Sequence, residues 1–256
     1  MRLDVFLCEN GYVESRERAK RLILEGAVRL DGVTVKKPAL SIEGTPHVEI
    51  DEPMFVGRGG EKLEGALRAF GVDPTGLRAL DVGASTCGFT QCLLMHGAAA
   101  VVALDAGCGQ LHPKLCADAR VTNIEKYNAR ELDARDVGQF DLIVMDVSFI
   151  SQTYILPRFP QLLLPQGRVI TLIKPQFEAG RAALNKKGIV KSPRDRLFAV
   201  CRVLQAAREA GLIPLGLVRS PIEGGDGNIE YLAYFALEGQ DAVSDQMIEK
   251  TVLEGR

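Results

Sequence analysis

The sequence predicts an α/β protein: a mostly parallel sheet covered by helices on both faces, preceded by a small α+β domain. Three observations carry this. From residue 78 onward, almost continuously apolar runs alternate with helix-length stretches, the pattern of strands buried on both faces. The last two apolar runs, after Gly211, have only a glycine-rich loop at 223–227 between them, so the final strand must run antiparallel. The first fifty residues follow neither pattern.

Taken in order, Arg2-Leu3-Asp4-Val5-Phe6-Leu7 opens a short amphipathic helix that stops near Asn10-Gly11. Ser15 can cap a second helix over 16–24, with Gly26 as its terminator. Residues 27–30 and 33–35, joined at Asp31-Gly32, carry a hairpin signal, and 47–50 reads as a closing strand. Residues 51–61, with Pro53 and Gly57, Gly59 and Gly60, read as a joint. Strands of the larger sheet are expected at 78–82, 101–105, 121–125, 140–146, 169–174, just after Gly211, and 231–237. Helices are expected at 89–96, 109–117, 151–164 and 193–210. The expected organisation is an N-terminal domain (1–50), a linker (51–61), a sheet domain (62–240) and a polar tail (241–256). From Glu238 the tail carries five acids against two bases and is expected to be mobile.

At 256 residues, 46% hydrophobic and 25% charged, the chain has enough apolar material for one or two packed domains, which excludes disorder as its main state. With 31 basic and 33 acidic residues, net charge points to no partner, and local charge must decide. The six cysteines (Cys8, Cys87, Cys92, Cys108, Cys116, Cys201) form no CxxC pair and are too few for a disulfide scaffold, so no metal is expected. No apolar run reaches the about 18 residues of a membrane span, and Met1 leads into an amphipathic stretch rather than a signal peptide. A cytoplasmic protein without membrane attachment is expected.

Asp81-Val82-Gly83-Ala84-Ser85-Thr86-Cys87-Gly88 follows the first sheet strand and opens a helix, so a ligand can approach backbone N–H groups there. Gly83, Ala84, Ser85, Thr86 and Gly88 are therefore candidate cofactor residues. Asp105, ending the second strand, can accept from two ribose hydroxyls, and Asn128 and Asp146 complete the candidate set. Dinucleotide enzymes and methyltransferases share this layout, but Ser85 replaces the middle glycine of GxGxxG. A tight turn with no ligand is the plain alternative. Further along, Asp146 ends the fourth strand and Lys174 the fifth, where Pro175 turns the chain away. Ligands bind at the carboxyl ends of parallel strands, and an antiparallel last strand begins at that edge, which adds Glu230. Each alone reads as a solvated strand end; three ionisable groups converging beside a cofactor loop read as a site.

Residues 181–208 hold eight bases, Lys186 and Lys187 among them, against Asp195 alone. Residues 16–37 hold seven bases against three acids. Such runs usually mark solvated helix faces, but one on each domain suggests a phosphate track. Tryptophan is absent and aromatics are only 6%, which favours recognition of folded RNA by shape and backbone over base stacking on single strands.

Residues 2–28, with Arg2-Leu3-Asp4-x-Phe6-Leu7 and Ser15-Arg16-x-x-Ala19-x-x-x-Ile23-x-x-Gly26-x-Val28, resemble the RNA-binding domain named after ribosomal protein S-four. Gly57-Arg58-Gly59-Gly60-Glu61-Lys62-Leu63, Asp81-Val82-Gly83-Ala84-Ser85-Thr86, Met145-Asp146-Val147-Ser148-Phe149-Ile150-Ser151, Lys174-Pro175-Gln176-Phe177-Glu178 and Gly227-Asn228-Ile229-Glu230 resemble the TlyA family. Its members are ribosomal RNA 2′-O-methyltransferases, also labelled hemolysins, with an FtsJ-like catalytic domain. Cys87 departs from the family's usual glycine, and Ala106 and Cys108 depart from its usual valine and aromatic.

The resemblance implies a Rossmann-like class I methyltransferase fold and S-adenosylmethionine as cofactor. It also implies ribosomal RNA or ribosomal subunits as partner, with cytidine as the nucleotide. A Lys-Asp-Lys-Glu catalytic tetrad falls on Lys62, Asp146, Lys174 and Glu230, and Lys62 comes from the resemblance alone. Lys174 is assigned as base or hydroxyl polariser, Lys62 as its cationic neighbour, and the two carboxylates as orienting groups. RNA contacts are expected at Arg2, Arg16, Arg18, Lys20, Arg58, Lys186 and Lys187. Rival readings are a membrane-active hemolysin, a nicotinamide oxidoreductase and a non-catalytic ribosome-binding assembly factor. Oligomeric state is not legible in the sequence.

Overall fold

The first two helices, α1 (Leu3–Glu9) and α2 (Arg16–Glu25), pack Leu3, Phe6 and Leu7 against Ala19, Leu22 and Ile23. These side chains recur at helical spacing, so one face of each helix is apolar and the two faces close on each other. The Ser15 hydroxyl accepts from the Arg18 N–H at 3.2 Å, and Gly26 ends α2 in the left-handed conformation. Strands β1 (Val28–Leu30), β2 (Val33–Thr34) and β3 (Val48–Ile50) form an antiparallel sheet in the order β2-β1-β3. At the hairpin, Asp31 and Gly32 both have positive φ (49° and 80°), as the tight primed turn requires. Asp4 lies in this small core with its carboxylate turned to Arg2 (2.9 Å) and Arg16 (3.1 Å). The Arg2 bond, then that of Arg16, holds its carboxyl down at about 2 against the effect of burial.

This computed structural model describes residues 1–13, 15–51, 55–224 and 227–254, without the side chains of Arg21 and Glu25, and divides into two units, Met1–Met54 and Phe55–Arg256. Pro53 of the expected joint and part of the 223–227 loop lie outside the described residues.

The larger unit begins with a helix the sequence reading did not anticipate, α3 (Gly59–Phe70). Its glycines suggested a linker, yet Leu63, Ala66 and Leu67 form a buried stripe and Gly71 (φ 63°) closes it, so residues 59–61 are its first turn. There follow β4 (Arg78–Val82), α4 (Gly88–Met95), β5 (Ala100–Leu104), α5 (Pro113–Cys116), β6 (Val121–Ile124), α6 (Ala134–Val137) and β7 (Phe140–Met145). Then come α7 (Phe159–Leu162), β8 (Leu163–Ile173), α8 (Pro175–Glu178), α9 (Pro193–Glu209), β9 (Ile213–Arg219), β10 (Tyr231–Ala236) and α10 (Asp245–Glu249).

The sheet order is β6-β5-β4-β7-β8-β10-β9, parallel except for β10, which is antiparallel to both neighbours. Alternate residues of each strand feed two cores. Leu80, Val82 and Ile143 face the α9 side with Val200, Val203 and Leu204; Ala79, Leu142 and Val144 face the α3–α4 side with Leu63, Leu67 and Leu93. Two expected helices are shorter than read. At 109–117 only Pro113–Cys116 is helical, and at 151–164 Pro157 and Pro160 break the chain into 3₁₀ turns and α7. The tail is a correction too: after α10 the chain continues in a π-helical turn (Lys250–Glu254), and Val243, Ile248 and Val252 are buried in the main core.

Candidate active site

The parallel strands deliver their carboxyl ends to one edge of the sheet, and a cleft opens there. Its walls are Gly57, Arg58 and Gly59 from the approach to α3, Asp81 and residues 83–86 after β4, Gly88 and Phe89 of α4, and Asp146, Ser148 and Lys174 after β7 and β8. The loop after β4 bends sharply: Gly83 (φ 83°), Ser85 (48°) and Cys87 (70°) are all left-handed. Gly83 is required, because a Cβ would lie 2.8 Å from the Asp146 carbonyl oxygen and 3.0 Å from a Val147 methyl. Cys87 is buried, and burial pushes its thiol up to about 12, so it is a packing group and not a nucleophile.

Lys174 and Asp146 meet at this edge. Lys174 Nζ lies 2.6 Å from Asp146 Oδ1 and donates to the Ser148 hydroxyl at 2.9 Å. The Nζ–Oδ1 contact is a charge contact rather than an aligned hydrogen bond, and among the described residues Asp146 Oδ1 has no hydrogen-bond partner. A second pair is buried beside β10, whose first residue Tyr231 pairs with Ile173. Lys62 Nζ donates to Glu230 Oε2 at 2.5 Å, both side chains less than a tenth exposed. Gln176, two residues after Lys174, donates to Glu230 Oε1 at 3.2 Å and so joins the second pair to the strand end that carries the first.

The remaining candidates divide. Ala84, Thr86 and Gly88 line the cleft with Gly83 and Ser85. Asp105 lies at the tip of β5, where its carboxylate accepts from the N–H groups of Ser85 (2.9 Å) and Gly107 (2.7 Å). Asn128 is not among the cleft residues. It caps a 3₁₀ turn, accepting from the Arg130 N–H and donating to Glu131. Arg58 is exposed on the cleft wall, and Lys186 and Lys187 are exposed on a turn held by Asn185. In the N-terminal unit Arg2, Arg16 and Lys20 are exposed and Arg18 is half-buried.

The sequence reading gave no role to Asp81, Ser148 or Gln176. Asp81 is fully buried, and burial lifts its carboxyl to about 7 against two opposing bonds from Thr90. Its Oδ1 has no hydrogen-bond partner among the described residues. An acid inside an otherwise apolar strand was the available signal. Among the described residues, no group of histidines, cysteines and acids could hold a metal ion, and no helix is long and apolar enough to cross a membrane.

The family profile of FtsJ-like methyltransferases matches residues 55–237, and that of the S4 domain matches residues 1–44. The 16S/23S rRNA (cytidine-2′-O)-methyltransferase TlyA of Mycobacterium tuberculosis is 40% identical over 255 residues, covering 98% of this chain and 95% of that protein. A solved Streptococcus thermophilus structure that carries a hemolysin name is 37% identical with a TM-score of 0.79, covering 100% of this chain and 95% of its own. An S-adenosylmethionine dependent methyltransferase from Mesorhizobium loti, 19% identical, shares the fold with a TM-score of 0.50 over 70% of this chain and 99% of its own. With both profiles matched in order and identity of this level along nearly the whole length, the chain belongs to the TlyA family, in which an S4 domain precedes an FtsJ-like methyltransferase domain.

Proposed function

We propose that this protein transfers a methyl group from S-adenosylmethionine to the 2′-hydroxyl of a cytidine in ribosomal RNA, acting in the cytoplasm on ribosomal subunits. The observation that carries the reading is the Lys174–Asp146 pair beside a glycine-rich loop, backed by the buried Lys62–Glu230 pair. The cytidine and the ribosomal substrate rest on the M. tuberculosis relative.

The cleft suits the cofactor. Asp81 Oδ1 is a buried polar atom on the cleft wall with no partner among the described residues, suited to a polar group of a ligand. Gly83 brings backbone close where a side chain would intrude, and Asp105 offers an acceptor at the tip of the next strand. Gly83, Ala84, Ser85, Thr86, Gly88, Asp105 and Asp146 are the residues proposed to hold it. When bound, S-adenosylmethionine supplies an activated methyl group on a sulfonium centre.

What the chain must supply is alignment of a ribose hydroxyl that is a poor nucleophile at neutral pH. An ammonium has three donors. Lys174 gives one to Ser148 and lies against Asp146, leaving donor capacity to orient and polarise the hydroxyl. Asp146, with Oδ1 2.6 Å from that ammonium, holds it in place at the strand end. Lys62, fixed by Glu230, places a second cation at the same sheet edge for ribose or phosphate. Arg58, Lys186 and Lys187 would contact RNA phosphates near the chemistry, and Arg2, Arg16, Arg18 and Lys20 would do so from the S4 domain.

The test is incubation of the purified protein with labelled S-adenosylmethionine and intact ribosomes or separated subunits, followed by mass-spectrometric mapping. A 2′-O-methylcytidine at a defined position is expected. Methylation of a base, or no transfer to any ribosomal RNA, would overturn the proposal.

A further inference from the structure

We infer that Gln110 is a ribose-binding side chain of the cofactor site, supplying the hydrogen-bond donor that Asp105 cannot. The inference rests on the S-adenosylmethionine reading above and extends it to a residue outside the cleft loop.

A ribose hydroxyl is both donor and acceptor, whereas an ionised carboxylate only accepts. Asp105 is fixed by two backbone N–H groups, from Ser85 at 2.9 Å and Gly107 at 2.7 Å, so it meets half of what a diol requires. Gln110 supplies the other half. The Ser85 hydroxyl donates to Gln110 Oε1 at 3.1 Å, which turns the amide so that its NH₂ group is left to donate. Among the described residues Nε2 makes no hydrogen bond.

The position of that nitrogen is defined by Gly107. A Cβ built on Gly107 would lie 2.2 Å from Gln110 Nε2 and 3.2 Å from Asp105 Oδ1. Donor and acceptor therefore lie on the same side of Gly107, and the amide nitrogen occupies the space that a side chain at 107 would fill. Gln110 is itself exposed, so burial does not order it against Ser85. The arrangement of an acceptor, a donor and an absent side chain beside the cofactor loop is what recognition of a vicinal diol needs.

Calorimetry with S-adenosylhomocysteine, which does not react, tests this in the full chain. Gln110→Ala should bind it about threefold to tenfold more weakly than wild type, the size of one net hydrogen bond. Gly107→Ala should reproduce the loss by pushing the amide aside. Gly107 has no positive φ, so alanine is tolerated by the backbone. Against the analogue lacking both ribose hydroxyls, the Gln110→Ala variant and wild type should bind equally. Unchanged or tighter binding of S-adenosylhomocysteine by Gln110→Ala would overturn the inference, tighter binding meaning that the side chain merely obstructs the site. An equal loss toward the dideoxy analogue would overturn it too. Failure of the wild type to bind S-adenosylhomocysteine at all would instead overturn the cofactor reading.

Discussion

Replacing Lys62 with methionine keeps the stem and the helix but leaves the Glu230 carboxylate, 2% exposed, with the Gln176 amide at 3.2 Å as its side-chain partner among the described residues. Removing one partner of a buried ion pair costs about 3–5 kcal/mol, because the surviving charge is no longer compensated. At roughly 2–4 °C per kcal/mol for a domain of this size, the melting temperature should fall by roughly 6–20 °C. Glu230→Gln should give a similar loss by stranding the Lys62 ammonium. The double variant Lys62→Met/Glu230→Leu should recover most of the stability, since an apolar pair of similar volume is often as stable as the ion pair it replaces. It should not recover methyl transfer, because the second cation at the sheet edge is gone. Calorimetric melts of the two single variants and the double, with a methyl-transfer assay on each, form one experiment. Single variants melting within about 2 °C of wild type, or a double variant as unstable as the two losses added, would refute the reasoning.

Asp81 predicts a pH dependence. Burial raises its carboxyl from 3.8 to about 7, so the stability of the neutral form is complete below pH 3.8 and is lost as pH rises through about 7. Asp81→Asn stays neutral and should flatten that decline in urea unfolding between pH 5 and 8; an unchanged slope would contradict the assignment. Replacing Arg16, Arg18 and Lys20 together should weaken binding to ribosomal subunits and lower its salt dependence while S-adenosylhomocysteine affinity stays constant, as filter binding and calorimetry would show. Truncation after residue 240 removes Val243, Ile248 and Val252 from the core. At about 1.5–3 kcal/mol per buried side chain it should lower unfolding stability by roughly 4–9 kcal/mol as an upper limit, measured by denaturant titration.

The strands were legible because a parallel strand buried on both faces writes itself as an apolar run, and 78–82 and 140–146 differ from β4 and β7 by no more than one residue. From those strands the contact of Asp146 with Lys174 followed by topology, whereas Glu230 pairs with Lys62 and Gln176 instead of joining them. The helices were less legible where glycine and proline pulled the reading in opposite directions. Gly57, Gly59 and Gly60 disguised the start of α3, although Leu63, Ala66, Leu67 and Gly71 announced its body. Pro157 and Pro160 broke a stretch whose apolar content suggested one helix. The acids of the tail hid three apolar residues that reach the core. Lys62 could not be reached from the sheet at all, since it approaches from a helix outside the β–α alternation. Asn128 shows the converse: a polar residue just past a strand, which the fold uses to cap its own next turn.

Whether Lys174 acts on the ribose hydroxyl is read from single-turnover methyl transfer by Lys174→Ala and Lys174→Arg. Lys174→Ala should keep cofactor and RNA affinity and lose about a hundred- to ten-thousandfold in rate, the contribution of a positioned polar group felt mainly in the transition state. Arginine keeps the charge but cannot release its proton at neutral pH. Because Lys174 donates to Ser148 and lies as a cation against Asp146, Lys174→Arg should retain substantially more activity than Lys174→Ala. Equal loss in the two variants would contradict the polarising role. Near-wild-type turnover by Lys174→Ala would remove Lys174, and the pair it forms with Asp146, from the chemistry.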